Sequence, residues 1–174
     1  MKRMLHSAIA SCLCLVFLGA HAPSTPAAAP FARVYLALRG CTSCSHCRTA
    51  IRQMARSGSK GGETRVTTDA VEVRYAKPAT IPLRDVIGRL AENRLHDLTL
   101  VDVLFEAEGM VAATPSGATF TLRGTDQSFP LRMDPSLATT RPGGPVHLTA
   151  LVEGWRGKGK LQLVARGITP ARAT

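Results

Sequence analysis

Cysteine is absent from the 127 residues that follow Cys47, and no acidic residue lies between Arg33 and Gly62. The first absence excludes a disulfide framework spread along the chain, because such a framework needs partners throughout its length. The second leaves no carboxylate general base beside any thiol in that stretch. Aromatic residues make up 5% of the chain, with one tryptophan, so there is little from which to build a stacking stripe for nucleic-acid bases. No basic run reaches four residues. The 22 lysines and arginines outnumber 12 acids, but beyond Lys2 and Arg3 they are scattered from Arg33 to Arg172 and read as solvated faces, not as a nucleic-acid patch. Neither G-x-G-x-x-G nor G-K-[ST] occurs, which excludes the common phosphate loops.

Long apolar runs are also missing. The most apolar stretch, Ala8 to Ala20, is interrupted only by Ser11 and is too short to cross a bilayer. Lys2 and Arg3 precede it and Ala20-His21-Ala22 follows it, the layout of a secretory leader with its cleavage pattern. The expected organisation is a signal peptide over 1–22, a flexible Ala/Pro/Ser/Thr linker over 23–31, one domain over 32–106 and a second over 107–174. The expected location is periplasmic or extracellular, with no stable membrane anchor once the leader is removed. The mature chain would keep 20 basic residues against 12 acids, a net charge of about +8.

What is present concentrates in one place. Gly40-Cys41-Thr42-Ser43-Cys44-Ser45-His46-Cys47 holds all three cysteines that survive leader removal. Three is an odd number for an oxidising compartment, so a free thiol, a metal or an intermolecular bond is implied. Before this stretch, Val34, Leu36 and Leu38 alternate as a strand does; after it, Ala50, Ile51, Met54 and Ala55 recur at helical spacing. Gly58 is expected to stop that helix. Two short strands, Glu63 to Thr68 and Val71 to Tyr75, come next, followed by a helix opened by Pro82 and carrying Leu83, Val86, Ile87 and Leu90. A strand over Leu98 to Phe105 completes the series.

The order β-α-β-β-α-β predicts an α+β fold, a ferredoxin-like sandwich. Beyond Glu108 no helical period is visible. Five β-prone runs separated by Gly/Pro turns predict a small all-β barrel of OB-like plan.

Soft thiolates at C-x-x-C-x-x-C spacing suit a soft or borderline metal ion. A C-x-x-C at a helix start lets two sulfurs converge on one ion. The unpaired N–H groups of the first turn, with Arg48 and Arg39 nearby, would favour the thiolate. Cys44 and Cys47 are the candidate pair, enough for near-linear Cu(I) or Hg(II). Cys41 stands either as a third thiolate, for trigonal Cu(I) or part of a Zn(II) site, or as a bystander. His46 reads as an exposed residue inside the motif. His96 and His147 read as structural, and His96 could approach the thiols because the loop after the second helix ends near the cysteine loop in this fold. An iron–sulfur cluster ordinarily wants four cysteines.

Residues 33–106 resemble the heavy-metal-associated domain family of copper chaperones, periplasmic mercury-binding proteins and metal-ATPase modules. The family motif G-M-x-C-x-x-C-x-x-x-I is met by Cys44-Ser45-His46-Cys47-Arg48-Thr49-Ala50-Ile51, with Thr42 at the methionine position and Cys41 at the glycine position. The resemblance implies a non-enzymatic exported metal binder, a carrier, chaperone or sensor, with Cys44 and Cys47 as ligands. It also implies a metal-donor or metal-acceptor protein as partner. Two alternatives stand beside it. One is a thiol–disulfide oxidoreductase, since strand, C-x-x-C and helix also build a thioredoxin-like site. The other is an adaptor with a degenerate metal domain and a barrel that binds something else.

Overall fold

The structure, a computed structural model, describes residues 31–171 apart from 94, 96, 115, 116, 135, 136, 138–142 and 158. The leader and almost all of the linker lie outside the described residues. So does His96.

Among the described residues, eight strands and two helices follow in the order β1 (Ala32–Arg39), α1 (Ser45–Ser59), β2 (Glu63–Val66), β3 (Ala70–Tyr75), α2 (Leu83–Ala91), β4 (Thr99–Thr114), β5 (Gly117–Leu122), β6 (Ser128–Arg132), β7 (Val146–Glu153) and β8 (Gln162–Pro170). β1 shows why alternation makes a strand. Ala32, Val34, Leu36 and Leu38 are buried while Arg33, Tyr35 and Ala37 are half-exposed, so one face is apolar and the other wet. The helices lie over the apolar face. α1 buries Ile51 and Ala55; α2 buries Leu83, Val86, Ile87 and Leu90.

Gly58 does not end α1, which continues through Ser59 to a left-handed cap at Lys60. The glycine is needed for another reason. A Cβ there would sit 2.8 Å from the Asp85 carbonyl oxygen, so its absence lets α1 approach the backbone of α2.

The expectation of a ferredoxin-like α+β sandwich is overturned. Strands occupy 48% of the described residues, against only two helices, and five of the strands close into a barrel. All eight strands belong to one sheet, in the order β2-β3-β1-β4-β5-β6-β8-β7, with β4 also paired to β7. The physical cause is the length of β4. It runs for 16 residues straight through Glu106 and Ala107. Along one edge it pairs with β1 (Ala32↔Ala107 to Arg39↔Thr99) and then with β5 (Gly109↔Leu122 to Thr114↔Gly117). Along the other it pairs with β7 (Leu104↔Leu151 to Gly109↔Val146). A buried run from Val103 through Phe105 and Ala107 to Gly109 therefore serves both halves, which share one hydrophobic core.

The barrel itself agrees with the expected one. Its closed order is β4-β5-β6-β8-β7-β4, antiparallel except for the β6–β8 contact, and it matches the OB-like plan. Closure removes exposed edges from this half. In the helix-covered half the end strand of the sheet, β2, is four residues long.

Candidate metal centre

The loop between β1 and α1 is fixed before any ligand arrives. Leu38, the last buried residue of β1, donates its N–H to the Asp69 carbonyl at 2.7 Å. Gly40 then turns the chain with φ +118°, and a Cβ at this position would fall 1.5 Å from the Asp97 carbonyl oxygen. Only glycine fits there. Thr42 is buried at 4% exposure, and its hydroxyl donates to the Thr68 carbonyl in the β2–β3 turn. The loop is thus abutted by the α2–β4 connection on one side and tied to the β2–β3 hairpin on the other.

Cys44 ends the loop and starts the helix. It is the N-cap of α1, with extended φ −71° and ψ 146°, and its Sγ accepts the N–H of Cys47 at 3.1 Å. A sulfur here does the work usually given to a Ser, Thr, Asn or Asp oxygen. One helical turn on, Cys47 packs partly against the core, and its Sγ lies 3.5 Å from the Sγ of Cys41. The three Sγ atoms all lie within 4.8 Å of one another, with Cys41 and Cys44 exposed and Cys47 half-buried. Among the described residues this is the sole grouping of three or more metal-ligand side chains.

These spacings fit a metal. Metal–sulfur bonds of about 2.3 Å place sulfurs about 3.8 Å apart around a tetrahedral ion, about 4.0 Å around a trigonal one and about 4.6 Å across a linear one. The cluster could hold a metal ion with only small side-chain rotations.

The three thiols are not equivalent. The Cys44 thiol is pulled below its ordinary range, first by the Cys47 S–H that donates to it and then by the Cys47 N–H. Cys47 is pushed up to about 12, first by its hydrogen bond to Cys44 and then by that to Cys41. Cys44 therefore loses its proton before Cys47, which keeps its own as donor. The expected help from arginine is not what lowers Cys44; Arg48 turns its guanidinium to the Val66 carbonyl at 3.4 Å.

Of the residues singled out from the sequence, Cys41, Cys44 and Cys47 are brought together. His46 is exposed on the first turn of α1 and outside the group. His147 sits on β7, opposite Glu108 and Thr169, in the barrel. Two residues that hold the loop were not recognised as doing so: Thr42, whose hydroxyl needs a partner from a distant hairpin, and Asp97, whose left-handed φ of +61° presents its carbonyl to Gly40. No local signal reveals either, since both depend on segments far away in sequence.

No protein-family model, no curated protein and no solved structure matches this chain. The likeness to heavy-metal-associated domains thus rests on the motif around Cys44 and Cys47.

Proposed function

We propose that this protein is a non-enzymatic binder of one soft metal ion, Cu(I) foremost with Hg(II) and Zn(II) as rivals, held by Cys41, Cys44 and Cys47. The observation that supports this is the convergence of three thiols within 4.8 Å on a loop already anchored at Gly40 and Thr42. Thiolate donors select soft ions over hard ones, and three of them suit trigonal Cu(I). The metal is cargo in this reading. An incoming thiolate from a partner adds to the ion before one of the chain's own leaves, and the exposure of Cys41 and Cys44 gives that thiolate an approach. Capture releases protons, because each ligating cysteine must be ionised. An exported location accords with the leader-like residues 1–22.

The test is metal stoichiometry by native mass spectrometry on reduced, oxygen-free protein, with Cu(I), Zn(II) and Hg(II) in competition. One ion per chain is expected, lost in Cys44→Ser and Cys47→Ser and more weakly held in Cys41→Ser. Undiminished Cu(I) binding by the Cys44→Ser, Cys47→Ser double variant would overturn the proposal.

A redox reading has one observation in its favour: the lowered thiol of Cys44 beside a proton-bearing Cys47 is the arrangement of a nucleophile and its partner. No retained metal, together with a rapidly exchanging Cys44–Cys47 disulfide, would select it.

A further inference from the structure

A broad cavity lies away from the cysteines. It is an open groove of 1190 Å³ along the outer side of α2, walled by the β7–β8 loop and running from Lys60 at the end of α1 to Leu98 at the approach to β4. We propose that this groove binds an extended acidic segment of a partner protein. The proposal stands independently of the metal reading.

The wall is held in place. Gly154 starts the β7–β8 loop with φ +78°, and a Cβ there would lie 2.4 Å from the Lys160 carbonyl oxygen, so the loop closes tightly on itself. Arg84 of α2 donates across the groove to the Gly159 carbonyl at 2.6 Å, and Arg156 donates to the Val101 carbonyl at 2.5 Å. Val101 is the residue skipped where the β1–β4 register shifts, so its carbonyl is free to accept. The Arg156 guanidinium also lies 4.5 Å from the centroid of the Trp155 ring. A guanidinium has five N–H donors, and each of these bonds uses one.

The floor has an opening that packing does not explain. Gly88 occupies the middle of α2, where glycine costs about 1 kcal/mol relative to alanine. Unlike Gly58, it has no crowded neighbour: a Cβ at Gly88 would meet nothing within 4 Å. The missing side chain keeps the groove deep at its centre.

Charge selects the occupant. Lys60 and Asp85 pair with each other at 3.3 Å, leaving Arg84, Arg89 and Arg156 along the groove against the single carboxylate of Glu92. Carboxylates spaced along an extended chain complement that row. α2 has nine residues and is about 13.5 Å long, the span of about four extended residues. The groove is too open and too large for a typical small-molecule pocket. Bases would find no stacking platform, since Trp155 stands alone and Arg156 covers one face of it.

Trp155 is the only tryptophan in the chain and lines this groove, so a change in its emission on titration reports an occupant beside it. The experiment titrates the full chain with an acetylated peptide of alternating glutamate and leucine. The comparison ligands are an alternating lysine–leucine peptide and oligothymidylate. A saturable change in Trp155 emission is expected with the acidic peptide only. Its affinity should fall about tenfold or more in Arg89→Glu and in Gly88→Leu, and stay unchanged in Cys44→Ser. Gly88→Leu should melt no lower than the unaltered protein, because the added Cβ meets nothing within 4 Å and leucine favours the helix. No saturable response, equal affinity for the basic peptide, preference for oligothymidylate, or full affinity in Gly88→Leu would each overturn the proposal.

Discussion

The helix-covered half and the barrel share β4 and one core, yet they use their backbone differently. The barrel, from β4 to β8, is closed on itself. Phe105 packs against Phe120 and Phe129 with ring centroids 6.4 and 5.6 Å away, and its ion pairs, Arg123–Glu108 and Arg132–Glu153, lie at the surface. The other half keeps an open sheet with a free edge at β2, and among the described residues both non-glycine residues with positive φ, Lys60 and Asp97, lie in its connections. The thiols sit among these connections. A closed barrel offers a rigid base but few places for reactive groups to project. An open sheet under two helices leaves loop ends where three side chains can converge.

The shared strand is the place to break this comparison with the largest effect. Phe105 is fully buried on β4 where both halves meet, and Phe105→Ala should cost about 3–5 kcal/mol. Trp155 fluorescence should report the barrel and far-UV circular dichroism the helices. Both signals should move to lower denaturant together. Separate midpoints would divide the molecule into two independent folding units.

A smaller effect should separate the halves. Gly40→Ala forces a Cβ onto the Asp97 carbonyl and strains a backbone at φ +118°, a cost of about 1–3 kcal/mol from conformation alone. Metal uptake, measured by competition with a chromophoric chelator, should weaken although no sulfur is removed. Trp155 emission in the folded protein should not change.

Next comes the outer face of the open sheet. Glu72 is 7% exposed and bridges Arg33 and Arg74, each at 2.8 Å. Because both guanidiniums are about a third exposed, the bridge is partly screened, and Glu72→Gln should lower stability by about 1–2 kcal/mol. Urea denaturation checks this. An equal loss on changing the surface pair Arg132–Glu153 would remove the contrast between the two faces.

The smallest effect is in the thiols. Iodoacetamide labelling followed by mass spectrometry should modify Cys44 at lower pH than Cys47, and Cys47→Ala should shift Cys44 labelling upward in pH. The sign of the linkage follows from the directions. The fold favours the Cys44 thiolate, so that contribution is present above the ordinary thiol range and is lost as pH falls through the lowered value. It favours the neutral Cys47 thiol, so that contribution is present below the ordinary range and is lost as pH rises toward about 12.

Local pattern made much of this legible. The alternation in β1, the helical stripes of α1 and α2 and the strand runs of the barrel are all periodic signals, and all appear near their expected places. The three cysteines announced themselves by spacing alone. What sequence could not reveal is how elements join. A boundary after Glu106 falls inside β4, and nothing in Glu106-Ala107-Glu108-Gly109 says whether a strand ends or passes into a second sheet partner. The structure decides it through pairings with β5 and β7, which are long-range. Gly58 and Gly88 make the same point in miniature. Both are helix glycines, and only the neighbouring backbone distinguishes one that lets helices touch from one that leaves space.

The abutment of Gly40 on Asp97 and the tether from Thr42 to Thr68 also have a kinetic meaning. A floppy tripod of thiols must first lose conformational freedom, and that loss slows every capture and favours every escape. Here the loss has been incurred in folding. An ion or electrophile reaching Cys44 therefore meets its second and third sulfurs at the rate of side-chain rotation, nanoseconds or faster, not at the slower rate of loop rearrangement.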